Sequence, residues 1–363
     1  MANKKERMKT SFTYDGKRYY VYGYSARELK QKEHEKRKEL EEGEAARLNP
    51  KLDEYFERFI ARHKLKVKEN TIFHLRRRYK ICSDTKVFGR RFGDYRIRDI
   101  RPADVLELQR ILADSDRSSS TVNYYMRTIS QIFSEAVRED LIDRTPCRAV
   151  SSVRRTETPA RDNIHRALTV EETEAFLDAA KTSTYYNAYR LMLNTGLRIG
   201  EVGALVPSDI DLKAGMLHVT KTLTCSESGA VIVGDTPKTD AGCRDIPLTR
   251  QIIAIIRDQQ DINAVIRIGG KRQIFRAVGG GYIKEPVINN DIRRVCKRAG
   301  IERIACHALR ATFATRFIEQ RPQDFKILSE ILGHSNTKIT LDLYTHVMRD
   351  KKVEAMEALD LAF

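Results

Sequence analysis

The sequence predicts a multidomain chain, mainly α with small β elements. Three observations carry that expectation. Residues 11–24 (SFTYDGKRYYVYGY) set aromatic and β-branched residues on both sides of Asp15-Gly16, a strong local hairpin signal. From about residue 50 to 150, apolar positions recur at helical spacing. In the second half, further helical stretches are interrupted by short β-rich segments at 216–223, 231–237 and 243–248.

Taken in order, residues 1–45 read as a hairpin or small sheet followed by a charged helix over 26–42. Lys17 and Arg18 open its second strand and are candidates for nucleic-acid contact. The plainer alternative is a hairpin whose tyrosines only cover the helix. Residues 46–150 read as a helical domain. Leu52, Tyr55, Phe56, Phe59 and Ile60 form one apolar stripe on a helix from Leu52 to His63. A second helix from Asn70 to Ile81 carries Arg76, Arg77 and Arg78, which would face either phosphates or bulk water. A third runs from Pro102 to Ala113, with proline in its first turn where the missing N–H costs nothing. A fourth spans Ser119 to Leu141 and stops ahead of Pro146.

Residues 151–167 lack periodicity and read as a linker whose Arg154 and Arg155 could follow a phosphate backbone. Thr169 and Glu172 then form a capping-box pattern that opens a mixed α/β domain over 168–348. A tail over 349–363 repeats Val353, Met356 and Leu359 at helical spacing, leaving one apolar stripe to bury.

Composition narrows the partner. The 363 residues carry a formal charge of +16 and a pI near 9.5, which favours a polyanion such as nucleic acid. The first 165 residues hold 38 Lys+Arg against 26 Asp+Glu, and the rest hold 28 against 24, so the excess is mostly N-terminal. That division fits a binding half followed by a reacting half. The sequence has no apolar run of membrane-spanning length and no signal-peptide pattern, and its six cysteines make neither a CxxC nor a zinc pattern. They read as free thiols in a reducing cytosol.

The reacting half contains TGLRIGE (Thr195 to Glu201), HALR (His307 to Arg310), LGHS (Leu332 to Ser335) and LDLYTH (Leu341 to His346). Charge grows on nonbridging oxygens when a phosphoryl group is transferred, and arginine meets it with a planar, permanently charged fork of donors. Arg198 and Arg310 are the candidates. His307 lies three residues before Arg310, so a helix presents both on one face. His334 follows a glycine suited to a helix stop. Tyr344 is the only tyrosine after Arg310, and its phenol could attack phosphorus if its proton were taken. Glu201 is either an ordinary helix ion-pair partner or the carboxylate that orients Arg198 or a nearby histidine. No acidic cluster of the two-metal nuclease kind is evident.

This ordered set resembles the tyrosine recombinases, the integrase family of temperate phages and conjugative transposons, and the resemblance covers nearly the whole chain. It implies an arm-type DNA-binding domain at the N-terminus, a SAM-like helical core-binding domain and a tyrosine recombinase catalytic domain. It assigns Arg198 and Arg310 to the scissile phosphate, makes His307 and His334 catalytic residues that donate hydrogen bonds or move protons, and makes Tyr344 the nucleophile of a 3′-phosphotyrosine intermediate. The family's general-acid lysine sits on a turn between strands, which selects Lys238 over its competitor Lys221. One departure is Ala311, where many relatives have a further histidine after HxLR.

Strand exchange that conserves the bond energy needs no ATP, and arginines in the role of a cation need no metal, so no cofactor is expected. The partners implied are double-stranded DNA at core crossover sites and at arm sites, a tetramer on two DNA sites, an excisionase and a host DNA-bending protein. The expected setting is the bacterial cytoplasm, at the nucleoid. Two other readings stay open at this point, a type IB topoisomerase-like relaxing enzyme and a DNA-binding accessory protein with a disabled site. The tail could dock on its own domain or on a neighbouring protomer.

Overall fold

A computed structural model describes residues 7–154, 164–235, 243–266, 273–334 and 341, with the backbone alone described for 42–47, 235 and 265–266. Arg155, Lys238, Tyr344 and the tail over 349–363 lie outside the described residues. The chain divides into two compact units, Met1–Glu157 and Thr158–Phe363.

The first unit opens with the hairpin. Strands β1 (Met8–Tyr14) and β2 (Lys17–Gly23) pair antiparallel, with Tyr14 opposite Lys17. Asp15 (φ 45°) and Gly16 (φ 70°) make the two-residue turn in the left-handed region, as the Asp-Gly pair requires. Phe12 and Val21 bury one face against helix α1 (Ala26–Leu48). The other face sets Lys9 and Ser11 opposite Tyr22 and Tyr20, and both tyrosines are exposed. Helix α1 runs three residues beyond the expected boundary at 45, and the hairpin and the helical segment fall within one unit.

Four helices follow: α2 (Leu52–His63), α3 (Glu69–Asp84), α4 (Pro102–Ala113) and α5 (Ser119–Arg138). Their apolar stripes meet in one core that includes Phe59, Ile72, Leu108, Ile129 and Phe133. A short hairpin, β3 (Lys86–Val87) with β4 (Arg90–Arg91), joins α3 to α4. Two bounds agree with the sequence reading, those of α2 and α4. Helix α5 ends earlier than expected because Asp140 takes a left-handed conformation (φ 54°) and the Leu141 N–H turns back to the Ala136 carbonyl. Pro146 therefore plays no part in stopping it. Past the helices, Asn123 grips the Val153 backbone by accepting from its N–H and donating to its carbonyl, and Val150 and Val153 pack on the helical core.

The second unit starts where Ala305 donates to the Ile164 carbonyl and Arg166 forks onto Glu172. The Thr169–Glu172 capping box forms in both directions at the start of α6 (Val170–Ala180). Helices α7 (Tyr186–Thr195), α8 (Ile199–Ala204), α9 (Arg250–Ile266), α10 (Glu285–Ala299), α11 (Cys306–Gln320) and α12 (Phe325–Leu332) complete its helical part. Phe176, Tyr189, Leu197, Ile255 and Leu309 sit in its main core.

The segment expected as one strand over 216–223 is two. Strand β6 (Met216–Val219) pairs with β5 (Ile210–Asp211) and β9 (Arg244–Pro247), whereas β7 (Lys221–Cys225) pairs with β8 (Val231–Asp235) in a separate sheet. The division has a packing cause. Leu217 and Val219 feed the main core, while β7 lies along α8, where a Cβ on Gly203 would come within 2.5 Å of the Leu223 side chain. The six cysteines are free, and among the described residues no helix is long and apolar enough to cross a membrane.

Candidate active site

Helix α7 ends at Gly196, whose φ of +66° is left-handed. A Cβ there would also lie 2.6 Å from both Leu332 and Phe313, so glycine is needed for conformation and for space. The turn delivers Arg198 to the position that caps α8. Its N–H donates to Glu201 Oε2 at 2.9 Å and its Nη1 to Glu201 Oε1 at 2.8 Å. The Arg198 side chain keeps 36% of its surface exposed, whereas that of Glu201 keeps 2%.

Arg310, in the second turn of α11, is buried. It donates from Nη1 to the Gly196 carbonyl at 2.7 Å and from Nη2 to the Leu332 carbonyl at 2.6 Å. Those carbonyls lie at the C-terminal ends of α7 and α12, where the helix dipoles are negative. Helix α12 stops at Gly333 (φ +63°), and the His334 N–H closes onto the Ser329 carbonyl at 3.1 Å. One buried guanidinium thus ties the TGLRIGE, HALR and LGHS motifs together.

Arg244 is a residue the sequence reading missed. Along β9, Arg244 and Ile246 face inward while Asp245 and Pro247 face out. The Arg244 guanidinium forks onto Glu201, Nη1 to Oε1 at 3.1 Å and Nη2 to Oε2 at 2.7 Å, and its Nε donates to the Ile331 carbonyl at 2.5 Å. The alternation of an arginine with Ile246 in a short strand was the available signal, since the arginine then shares the buried face.

The electrostatics follow from three guanidiniums around one carboxylate. Burial pushes the Glu201 carboxyl up, but Arg244 first and Arg198 second outweigh it and hold it below the usual carboxylate range. Burial, then the Arg198 charge, pushes Arg310 down to about 9, with Glu201 opposing and Arg244 adding; it is still a cation at pH 7. Burial also pushes His334 down to about 4, helped by Arg310, Arg198 and Arg244. His307 is exposed as a residue, and partial desolvation of its ring lowers it, against Glu285, with His165, Arg310 and Arg198 lowering it further. Both imidazoles are therefore neutral at pH 7, each with one donor and one acceptor nitrogen. The cluster keeps an excess of positive charge with an exposed guanidinium at its mouth, the electrostatics of an anion site.

The structure brings together Arg198, Glu201, Arg310 and His334, and places His307 within reach of the Arg198 and Arg310 charges. Lys221, the competitor of Lys238, is engaged by Asp209, Nζ to Oδ1 at 2.8 Å. Glu285, Cys306 and His307 bring possible metal ligands within 4.8 Å of one another. Burial and then Glu285 push the Cys306 thiol up to about 12, so a metal would have to displace its proton.

In the first unit, Lys17 and Arg18 are exposed on the hairpin, and Lys9 Nζ stands 3.8 Å from the Tyr20 ring centre. Arg76 forks onto Glu57, and Arg78 lies on the Tyr124 ring and donates to Thr128. Arg77 and Arg154 are exposed. Of the arginine run on α3, Arg77 is the exposed one, and among the described residues it carries no bond of this kind.

Comparison with known proteins gives a consistent picture. The model of the Phage integrase family matches residues 166–351. A "Tyrosine recombinase XerC-like" protein of Caldanaerobacter subterraneus subsp. tengcongensis is 27% identical over 269 residues, covering 69% of this chain and 68% of the relative. The ICEBs1 integrase of Bacillus subtilis is 25% identical over 282 residues, covering 73% and 72%. Among solved structures, a Tn1549 transposon integrase in complex with a circular intermediate DNA superposes with a TM-score of 0.68 at 24% identity, covering 85% of this chain and 99% of that one. That likeness is one of fold.

Proposed function

The chain belongs to the phage integrase family and is a tyrosine site-specific recombinase; on that premise we propose how its own residues divide the work of cutting and rejoining DNA. Arg198 and Arg310 hold the nonbridging oxygens of the scissile phosphate, and Arg198 closes on it from its half-exposed position. Neutral His334 donates a further hydrogen bond. Neutral His307 accepts the phenol proton as Tyr344 Oη bonds to phosphorus. The bond from phosphorus to the 5′ oxygen breaks, and Lys238 gives that oxygen its proton. The products are a 3′-phosphotyrosine ester and a free 5′ hydroxyl. A 5′ hydroxyl from a second strand reverses the steps and joins the new partner. Glu201 keeps Arg198 aimed.

The observation that carries this reading is the cluster itself: Arg198 held by Glu201, and Arg310 held by the Gly196 and Leu332 carbonyls beside His334, with more positive charge than the one carboxylate offsets.

The partner is double-stranded DNA. Two duplexes exchanging all their strands need four cuts, one tyrosine for each, which supports a tetramer on two core sites. The exposed tyrosine and lysine face of the hairpin, with Lys17 and Arg18 at its turn, supports contact with separate arm sites. Arg77 and Arg154 are the core-duplex contacts this reading favours, with Arg155 next to Arg154 in sequence. An excisionase and a host DNA-bending protein would set direction, and the work would take place on nucleoid DNA in a bacterial cytoplasm. A nicked substrate carrying an element end, which traps the covalent species, tests the reading. The native chain should give a denaturation-resistant protein–DNA adduct, and Tyr344→Phe should bind the same DNA and give none. An adduct with Tyr344→Phe would remove Tyr344 from the nucleophile's role.

A further inference from the structure

We propose that Arg244 is a positioning residue for strand cleavage, holding Arg198 and the His334 helix end in register with one another. The proposal rests on the catalytic roles given above. All three nitrogens of the buried Arg244 guanidinium donate to protein acceptors, so it acts through those groups. Three of its bonds go to two targets. Two go to Glu201, one to each oxygen, and both of those oxygens also accept from Arg198, one from its backbone N–H and one from its guanidinium. Glu201 is therefore clamped between two arginines, and it cannot turn without releasing one of them. The third donor, Nε, goes to the Ile331 carbonyl. The next carbonyl along, Leu332, receives Arg310, and two residues after that stands His334.

A rigid fork fits this task, because guanidinium geometry fixes the angle between the Glu201 carboxylate and the α12 carbonyl. The alternative is a buried ion pair that only stabilises the fold. Such a pair would lower stability when broken but would leave the chemistry of the folded protein alone. A positioning role predicts the reverse emphasis, since displacing a catalytic donor by about 1 Å costs about a hundredfold in rate.

The test uses the full-length chain, a nicked duplex bearing an element end, and the same duplex with a methylphosphonate at the scissile position. That group lacks the negative charge Arg198 offsets. Arg244→Lys keeps a cation beside Glu201 but loses the fork. It should bind DNA within about twofold of the native chain, form adduct about tenfold to a hundredfold more slowly on the phosphodiester, and lose several-fold less on the methylphosphonate. Arg244→Met removes all three donors and should be slower still on the phosphodiester; if it fails to fold, Arg244→Lys alone decides. Native rates with Arg244→Lys, or equal losses on both substrates, would overturn the positioning role. Absence of adduct with the native chain would instead overturn the catalytic reading on which it rests.

Discussion

The guanidinium of Arg310 donates to the carbonyl of Gly196 at 2.7 Å, so the residue that ends α7 in a left-handed turn also receives the buried cation of α11. Gly196 has no room for a side chain, because Leu332 and Phe313 stand 2.6 Å from where its Cβ would be. Gly196→Ala should destabilise the protein by about 2 kcal/mol from the left-handed backbone and the crowding combined. Thermal unfolding measures this. A melting temperature equal to that of the native chain would show that α11 and α12 yield freely at this point.

Arg198→Lys keeps the charge and loses the paired geometry. Single-turnover cleavage should fall by about a hundredfold, in line with the loss of one transition-state donor of about 3 kcal/mol. Binding to the uncleaved duplex should change little, since many other phosphate contacts contribute. Cleavage near the native rate would place the scissile phosphate elsewhere.

Acid should weaken the second unit through His334. Its folded-state value is pushed down to about 4, against an ordinary histidine value of 6.5 in the unfolded chain. Between those values the unfolded chain binds the proton and the folded one does not, so stability rises with pH in that window. The contribution is complete above about pH 6.5 and is lost as pH falls toward 4. His63, His74 and His307 are also lowered by burial and act in the same direction. The measurement is therefore a difference: the melting temperature of His334→Gln should fall less steeply than the native one between pH 6.5 and 4. Parallel curves would mean that His334 takes up its proton without strain.

The hairpin offers a separate test of arm-site binding. Lys9 stands over the Tyr20 ring at 3.8 Å, and Tyr20 and Tyr22 are 50% and 41% exposed. Replacing Lys9 and Tyr20 together by alanine should weaken arm binding by about 1–3 kcal/mol for the lost stacking partner and lower the salt slope by about one. Cleavage of an isolated core site should be unchanged. Footprints on the element ends would show it, and an unchanged arm footprint would return the hairpin to a structural cover for α1.

The parts of this fold that sequence revealed were those where one physical rule acts alone. Helices α2 and α4 were legible to the residue because a periodic apolar stripe and a clear first turn coincide. The Asp15-Gly16 turn was legible because few residue pairs tolerate that backbone. The end of α5 was not, because the decision falls to Asp140 adopting a left-handed conformation, a choice made by the packing of Leu141 and not by the proline further on. The change of sheet between Val219 and Lys221 was equally hidden, since it depends on Gly200 and Gly203 of α8 offering β7 a bare surface.

In the site, the motif order named Arg198, His307, Arg310 and His334; Arg198 bonds Glu201, and Arg310 bonds the helix-end carbonyls of Gly196 and Leu332, two residues before His334. Arg244 escaped because a lone arginine in a strand looks like solvent-facing charge. Its alternation with Ile246 hinted at the inward direction, and the buried Glu201 opposite it accounts for that direction.

Arg310 also imposes an order in time. Its two carbonyl acceptors come from residues 196 and 332, so the second is synthesised well after the first. Until Leu332 has left the ribosome and α12 has docked, the interior holds a guanidinium with half of this pairing missing. Translation therefore delivers the arrangement that grips a phosphate late, once both helix ends are in place.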